Sequence, residues 1–153
     1  MAAKKDYYET LGVQKTATDE ELKKANADFK KVIKTDTLPN SQSYAHYAYF
    51  YLNEHEKALK HMTQILESDS TAETHYDAAC FYSLMYDSVT SLKHLKNALE
   101  KGYRNFSHIV LDSDLDNIRQ LDNFKTLLSK YMQIGNEKML AEENNRKEVI
   151  VSS

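Results

Sequence analysis

Glycine and proline are almost missing from this chain: three Gly and one Pro (Pro39) in 153 residues. Strands and hairpins consume both residue types at their turns, so the scarcity points to long helices joined by short connections. Tryptophan is absent, while tyrosine is heavily used, with 11 copies. A single cysteine, Cys80, excludes an internal disulfide. Its Ala-Ala-Cys-Phe setting reads as a buried, inert thiol. The formal net charge is −3, so no basic field is available to hold a nucleic acid. No apolar run approaches the ~18 residues that span a bilayer. No leader opens the polar Met1-Ala-Ala-Lys-Lys-Asp6 start. A soluble protein is expected, cytoplasmic if the chain is complete.

What is present is a repeat. Ala25, Ala58 and Ser91 follow one another at a step of 33 residues. So do Phe29, Met62 and Leu95, and so do Ile33, Leu66 and Leu99. Gly12, Ala45 and Ala78 keep the same interval upstream. Each set holds its character, small or bulky and apolar. A period of this length marks helical units that complete one another's cores by stacking.

The expected fold is all-α: antiparallel helix-turn-helix units stacked as a short right-handed solenoid. One domain spans 1–133. Within it, 6–36 is an atypical first unit, 39–71 a second, 72–104 a third, and 105–133 a pair of closing helices. Thr18-Asp-Glu-Glu21 reads as a capping box opening a helix to about Thr35. Further helices are expected at about 41–52, 54–67, 72–85, 88–101, 114–120 and 122–133. Residues 134–153 are read as a flexible polar tail, a fraying helix with an extended end.

The spacing of chemistry-bearing residues supports no reaction. None of the six His pairs with another at i, i+4 around a carboxylate, so no metal site is read. Three isolated Gly cannot build a phosphate loop. Glu9, Glu20 and Glu21 are more simply solvated or capping carboxylates than an acid–base pair. No catalytic residue, metal or cofactor is expected, and the chain is not read as an enzyme.

Residues 39–133 resemble the tetratricopeptide repeat family. Ala45 and Tyr49 match its first-helix positions in one unit, as do Ala78, Ala79 and Tyr82 in the next. Ala58, Met62 and Leu66, then Ser91, Leu95, Ala98 and Leu99, match the second helix. The family's Trp is absent, His46 replaces a small residue, and Ser70 stands where Pro is usual. The resemblance implies a protein-interaction module, a scaffold or adaptor, whose first helices line a concave groove. That face would carry Asn40, Ser43, Tyr44, Tyr47, Phe50 and Tyr51, then Glu73, Tyr76, Asp77 and Cys80. The partner-binding set is therefore Tyr44, Tyr47, Tyr51, Glu73, Tyr76 and Asp77, while Tyr49 and Tyr82 are assigned to the core. Members that clamp a chaperone's C-terminal carboxylate use basic residues where Glu73 and Asp77 stand here. Two carboxylates would repel that ligand. The expected partner is a neutral, apolar or basic peptide or partner helix, with no nucleic acid and no membrane.

A second resemblance covers residues 5–25. Asp6-Tyr-Tyr-Glu-Thr-Leu-Gly-Val13, Ala17 and Glu20-Glu-Leu-Lys-Lys-Ala25 are similar to the start of a J-domain, a family that stimulates heat-shock chaperone ATPases. The family's His-Pro-Asp triplet would fall at Lys34-Thr35-Asp36, where only Asp36 agrees. A degenerate J-like co-chaperone is therefore the alternative, and an atypical first repeat the preferred reading of 6–36.

Overall fold

The computed structural model describes residues 19–37, 39 and 43–152. The J-like stretch before Asp19, Gly12, the cap Thr18 and Asn40 lie outside the described residues. Eight α-helices follow in order among the described residues, with no strand. They are α1 (Asp19–Thr35), α2 (Ala45–Tyr51), α3 (His55–Ser68), α4 (Ala72–Leu84) and α5 (Ser88–Glu100). After them come α6 (Phe106–Leu111), a 3₁₀ turn (Ser113–Leu115), α7 (Asp116–Arg119) and α8 (Asp122–Ser152). The all-α class is as the sequence implies.

The interval of 33 is written into the backbone as well as the side chains. Helix α2 ends with Asn53 at φ 63°, and α4 ends with Tyr86 at φ 59°. At the first turn, the Asn53 N–H donates to Phe50 O at 2.9 Å and the Glu54 N–H to Tyr49 O at 2.8 Å. At the second, Tyr86 N–H donates to Ser83 O at 3.0 Å and Asp87 N–H to Tyr82 O at 2.9 Å. Both are the paired bonds of a Schellman cap, which requires a left-handed residue just past the helix. The end of α5 repeats the pattern with Gly102, at φ 106°.

Gly and Asn suit that conformation and Tyr does not. Tyr86→Asn keeps the turn and removes a steric conflict. It should raise stability by about 0.5–1 kcal/mol. A urea titration showing a lower midpoint than the parent would contradict this.

The small residues of the repeat that are described are enclosed. Ala25, Ala58 and Ser91 are buried, as are Ala45 and Ala78. Ser91 adds a hydrogen bond, its Oγ donating to Ala79 O at 2.7 Å. Phe29, Met62 and Leu95 are buried at their shared position. Successive helices pack on each other: α1 on α2, α2 on α3, α4 on α3 and α5. The core forms three clusters along this row. Ala25, Phe29 and Ala48 form the first. Met62, Ile65 and Phe81 centre the second, and Leu95, Leu99, Ile109 and Ile118 the third.

Helix α2 has no cap from its own preceding residue; Asp36 supplies one from the loop after α1. Its Oδ2 accepts from Tyr44 N at 2.7 Å and from Ala45 N at 3.1 Å. Ser43 Oγ also donates to it, at 3.0 Å. A carboxylate so placed satisfies orphan donors and faces the positive end of the helix dipole.

Two details differ from the sequence reading. Helix α6 (Phe106–Leu111) was not foreseen as an element of its own; Asn105 starts it, Oδ1 accepting from His108 N at 3.3 Å. The extended end expected within 134–153 is replaced by helix: α8 continues through Ser152. Its second half, from Asn136, is exposed and holds good helix formers, Glu, Lys, Met, Leu and Ala, with no proline to stop it. An i, i+4 pair from Lys147 to Glu143 at 2.8 Å supports it.

The α4–α5 hairpin holds a pH-sensitive contact. His75 Nδ1 and His94 Nδ1 share a hydrogen bond at 2.9 Å, their rings 5.2 Å apart. Burial, reinforced by His75 and Lys93, holds His94 down to about 4. Burial and Lys101 lower His75 as well, against a weaker pull upward from Asp69. A depressed imidazole stabilises the fold above its unfolded value near 6.5, where neither state carries the proton. Between about 6.5 and 4 the unfolded chain takes up a proton that the folded one refuses, so stability falls with falling pH. After allowance for solvent screening, the loss attributable to His94 should be roughly 1–2 kcal/mol. Urea midpoints at pH 7 and pH 4.5 should show a smaller drop in His94→Gln than in the parent; equal drops would refute the assignment.

Candidate functional site

A groove of about 550 Å³ opens between α1, α2, α4 and the segment after α6. Helix α1 contributes Asp28, Phe29 and Val32. From α2 and the residue before it come Tyr44, Tyr47, Ala48 and Tyr51. Helix α4 adds Tyr76, Asp77 and Cys80, and the far wall is His108, Asp112 and Asp114. The spacing of four between Tyr47 and Tyr51, and between Tyr76 and Cys80, puts each pair on one helical face.

Five of the six sequence-selected residues thus share one surface: Tyr44, Tyr47, Tyr51, Tyr76 and Asp77. Glu73 does not join them; it is exposed in the first turn of α4 and outside the groove lining. Phe50, also expected on this face, turns inward onto Ala58 and Met62. Ser43 is buried and engaged with Asp36 and with His61 Nε2, the latter at 2.5 Å. Tyr49 and Tyr82 pack, half-buried, against the second core cluster. The reading missed Asp28, Phe29, Val32, Ala48, His108, Asp112 and Asp114. Nothing in the local sequence marks them, because only tertiary packing brings α1, α6 and the loop after it to the groove that α2 and α4 line.

Tyrosyl hydroxyls tie the floor together. Tyr47 Oη donates to Asp77 Oδ1 at 2.7 Å, linking α2 to α4. Tyr76 Oη donates to Asp112 Oδ2 at 2.7 Å, linking α4 to the loop beyond α6. Burial first, then the neighbouring carboxylates, hold the Tyr47 phenol well above its ordinary value; burial likewise raises Tyr76. Both therefore stay as donors. Tyr76 also stacks on Tyr103 with ring centres 4.3 Å apart, and burial pushes Tyr103 up to about 12. On the other side of Asp77, His46 Nε2 sits 2.8 Å from Oδ2. Buried His46 has no hydrogen-bond partner at Nδ1, so its proton belongs on Nε2, where the carboxylate accepts it.

Cys80 Sγ donates to Asp112 Oδ2 at 3.6 Å. Burial and then the charge of Asp112 push the thiol well above its usual range, the reverse of what a nucleophilic cysteine needs. The Asp112 loop is fixed by Arg119. Its guanidinium donates to Ile109 O at 3.1 Å and makes further close bonds to the carbonyls of Val110 and Asp112.

No protein-family model matches the chain, and no solved structure matches it. Two curated relatives do. A chloroplastic protein of Arabidopsis thaliana is 33% identical over 81 residues, covering 50% of this chain and 24% of that protein. The chaperone protein DnaJ of Burkholderia thailandensis is 39% identical over 75 residues, covering 49% of this chain and 18% of that one. The chain thus spans a quarter or less of the length of the curated relatives it matches, and each similarity is confined to about half of this chain. No helix among the described residues is long and apolar enough to cross a membrane.

Proposed function

We propose that this chain is a tetratricopeptide-type interaction module, a scaffold or adaptor that holds a peptide or partner helix in the groove between α1, α2 and α4. The observation that carries the reading is the convergence of Tyr44, Tyr47, Tyr51 and Tyr76 on one open, largely apolar groove. Tyrosine offers wide, stiff contact area with a polar tip, at low entropic cost. The Schellman turns repeated at Asn53 and Tyr86 support the stacked-unit architecture that such grooves need. The module binds rather than catalyses: raised Cys80, Tyr47 and Tyr76 are poor nucleophiles and poor bases at neutral pH.

Selection from a random dodecapeptide library tests this. Enriched peptides should bind saturably, and Tyr47→Ala plus Tyr51→Ala should weaken them about tenfold or more. No enrichment, or binding indifferent to the double variant, would end the proposal.

The similarity to DnaJ favours one second reading, a J-like co-chaperone. Against it, Asp36, which alone agrees with the J-domain triplet, is already occupied in capping α2. A steady-state ATPase assay with a seventy-kilodalton chaperone separates the two. Stimulation abolished by Asp36→Asn, in a variant that still melts cooperatively, would support the co-chaperone.

A further inference from the structure

We infer that the exposed half of α8, from Asn136 to Ser152, pairs antiparallel with the same stretch of a second copy of this chain. The pairing surface lies apart from the groove and does not depend on what the groove binds.

Every residue of α8 from Asn136 to Ser152 is exposed. At 1.5 Å per residue this is about 25 Å of helix. It carries large apolar side chains in the open: Met139 is 69% exposed, Leu140 60%, Val149 67% and Ile150 73%. Apolar groups gathered on one exposed element mark a contact surface. Met132, Asn136, Met139, Glu143, Arg146 and Ile150 recur at alternating steps of four and three, which puts them on one seam of the helix. That seam runs into a notch of about 390 Å³ between α8 and the segment before it, lined by Arg104, Phe106, Met132, Gly135 and Met139.

The order of residues along this half says what covers the seam. Around Asn144-Asn145 the sequence mirrors itself with the charge reversed. Met139, Leu140, Glu142 and Glu143 come before, and Arg146, Lys147, Val149 and Ile150 after. A two-fold antiparallel pair centred there sets Glu143 level with Arg146 of the other copy, and Glu142 level with its Lys147. Met139 and Leu140 come level with its Ile150 and Val149, and the two-fold repeats each contact. Its Val149–Val151 end also arrives level with the notch beside Met139. Parallel pairing in register sets like charges together. A parallel stagger of four corrects the charges but sets Met139 against Glu143 and Arg146 against Ile150, apolar against charged. Lys147 reaches Glu143 of its own chain at 2.8 Å. That bond is exposed, so exchanging it for one between copies costs little. The contact surface is small, so the dimer is a weak, reversible one.

Sedimentation equilibrium of the full chain over a wide range of concentrations tests this. The parent should form a dimer that added salt weakens, because opposite charges face each other across the pair. Glu142→Lys with Glu143→Lys should weaken self-association about tenfold or more, and so should Arg146→Glu with Lys147→Glu. An equimolar mixture of these two variants should dimerise at least as tightly as the parent, since every level pair is again opposite in sign. Circular dichroism and thermal melts confirm that each variant folds. A parent that stays monomeric throughout, or association that salt strengthens, would overturn the inference. So would charge variants that associate like the parent, or a mixture that stays monomeric. Tyr47→Ala plus Tyr51→Ala should leave the dimer unchanged; its loss there would move the contact to the groove and overturn the pairing. The two readings fail separately. A dimer with an empty peptide selection ends the groove proposal alone, and a monomer that binds selected peptides ends the pairing alone.

Discussion

Phe81→Ala should cost about 3–5 kcal/mol, the range for emptying a large aromatic position in a closed core. Phe81 has no exposure and sits in the second cluster with Met62 and Ile65. Its ring meets His46 edge-on with centres 5.5 Å apart, Tyr47 at 6.2 Å and Tyr82 at 5.4 Å. It is thus the packing surface on which α2 rests against α4. Its removal withdraws dispersion contacts from both helices at once, and few neighbours can collapse into the gap because His46 and Tyr47 are pinned to Asp77. Urea unfolding should show a much lower midpoint with an unchanged slope. Phe81→Leu should recover more than half of the loss, because it restores most of the volume. A cost under about 1 kcal/mol for the alanine would mean that α2 and α4 are held by something other than this contact.

Arg119→Ala should cost about 2–4 kcal/mol, and lysine should not restore it. The guanidinium reaches carbonyls of Ile109, Val110 and Asp112 and also pairs with Asp116 at 3.3 Å. The carbonyls of Ile109 and Val110 lie in the last turn of α6, where helical N–H donors run out and the dipole is negative, while Asp112 O also accepts from Leu115 N at 3.1 Å. A planar fork can serve several of them together; an ammonium cannot. Removing it strands partly buried carbonyls and frees the Asp112–Asp114 loop. Thermal melts of Arg119→Ala and Arg119→Lys should both fall clearly below the parent. A lysine variant as stable as the parent would show that charge alone fixes the loop.

The sequence was legible wherever a signal was local or periodic. Ala25, Ala58 and Ser91 marked the interior because a small buried residue recurs only where helices touch. Tyr44, Tyr47 and Tyr51 are assigned to one face through the repeat-family resemblance, and all three line the groove. The rest depended on contacts between distant segments. Asp28 reads as one more solvated charge on an amphipathic helix until α1 is seen beside α2. Asp112 precedes a short 3₁₀ turn and Asp114 sits in it, and the segment is held at the groove by the Tyr76 and Cys80 bonds to Asp112 and by the Arg119 clamp. Glu73 shares the helical face of Tyr76, Asp77 and Cys80 but stands one turn nearer the start of α4, outside the groove lining. The end of α8 was read as extended because Val149, Ile150 and Val151 prefer strands. With no partner strand among the described residues, the preceding helix simply continues.

The helices of this chain pack on neighbours close in sequence, α1 on α2, α2 on α3, α4 on α5. Little loop entropy is then spent before the first favourable contact forms, and no strand must search for a remote partner. Refolding from urea should therefore finish within about milliseconds, and the search should begin at the α4–α5 hairpin, where the pairing is most extensive.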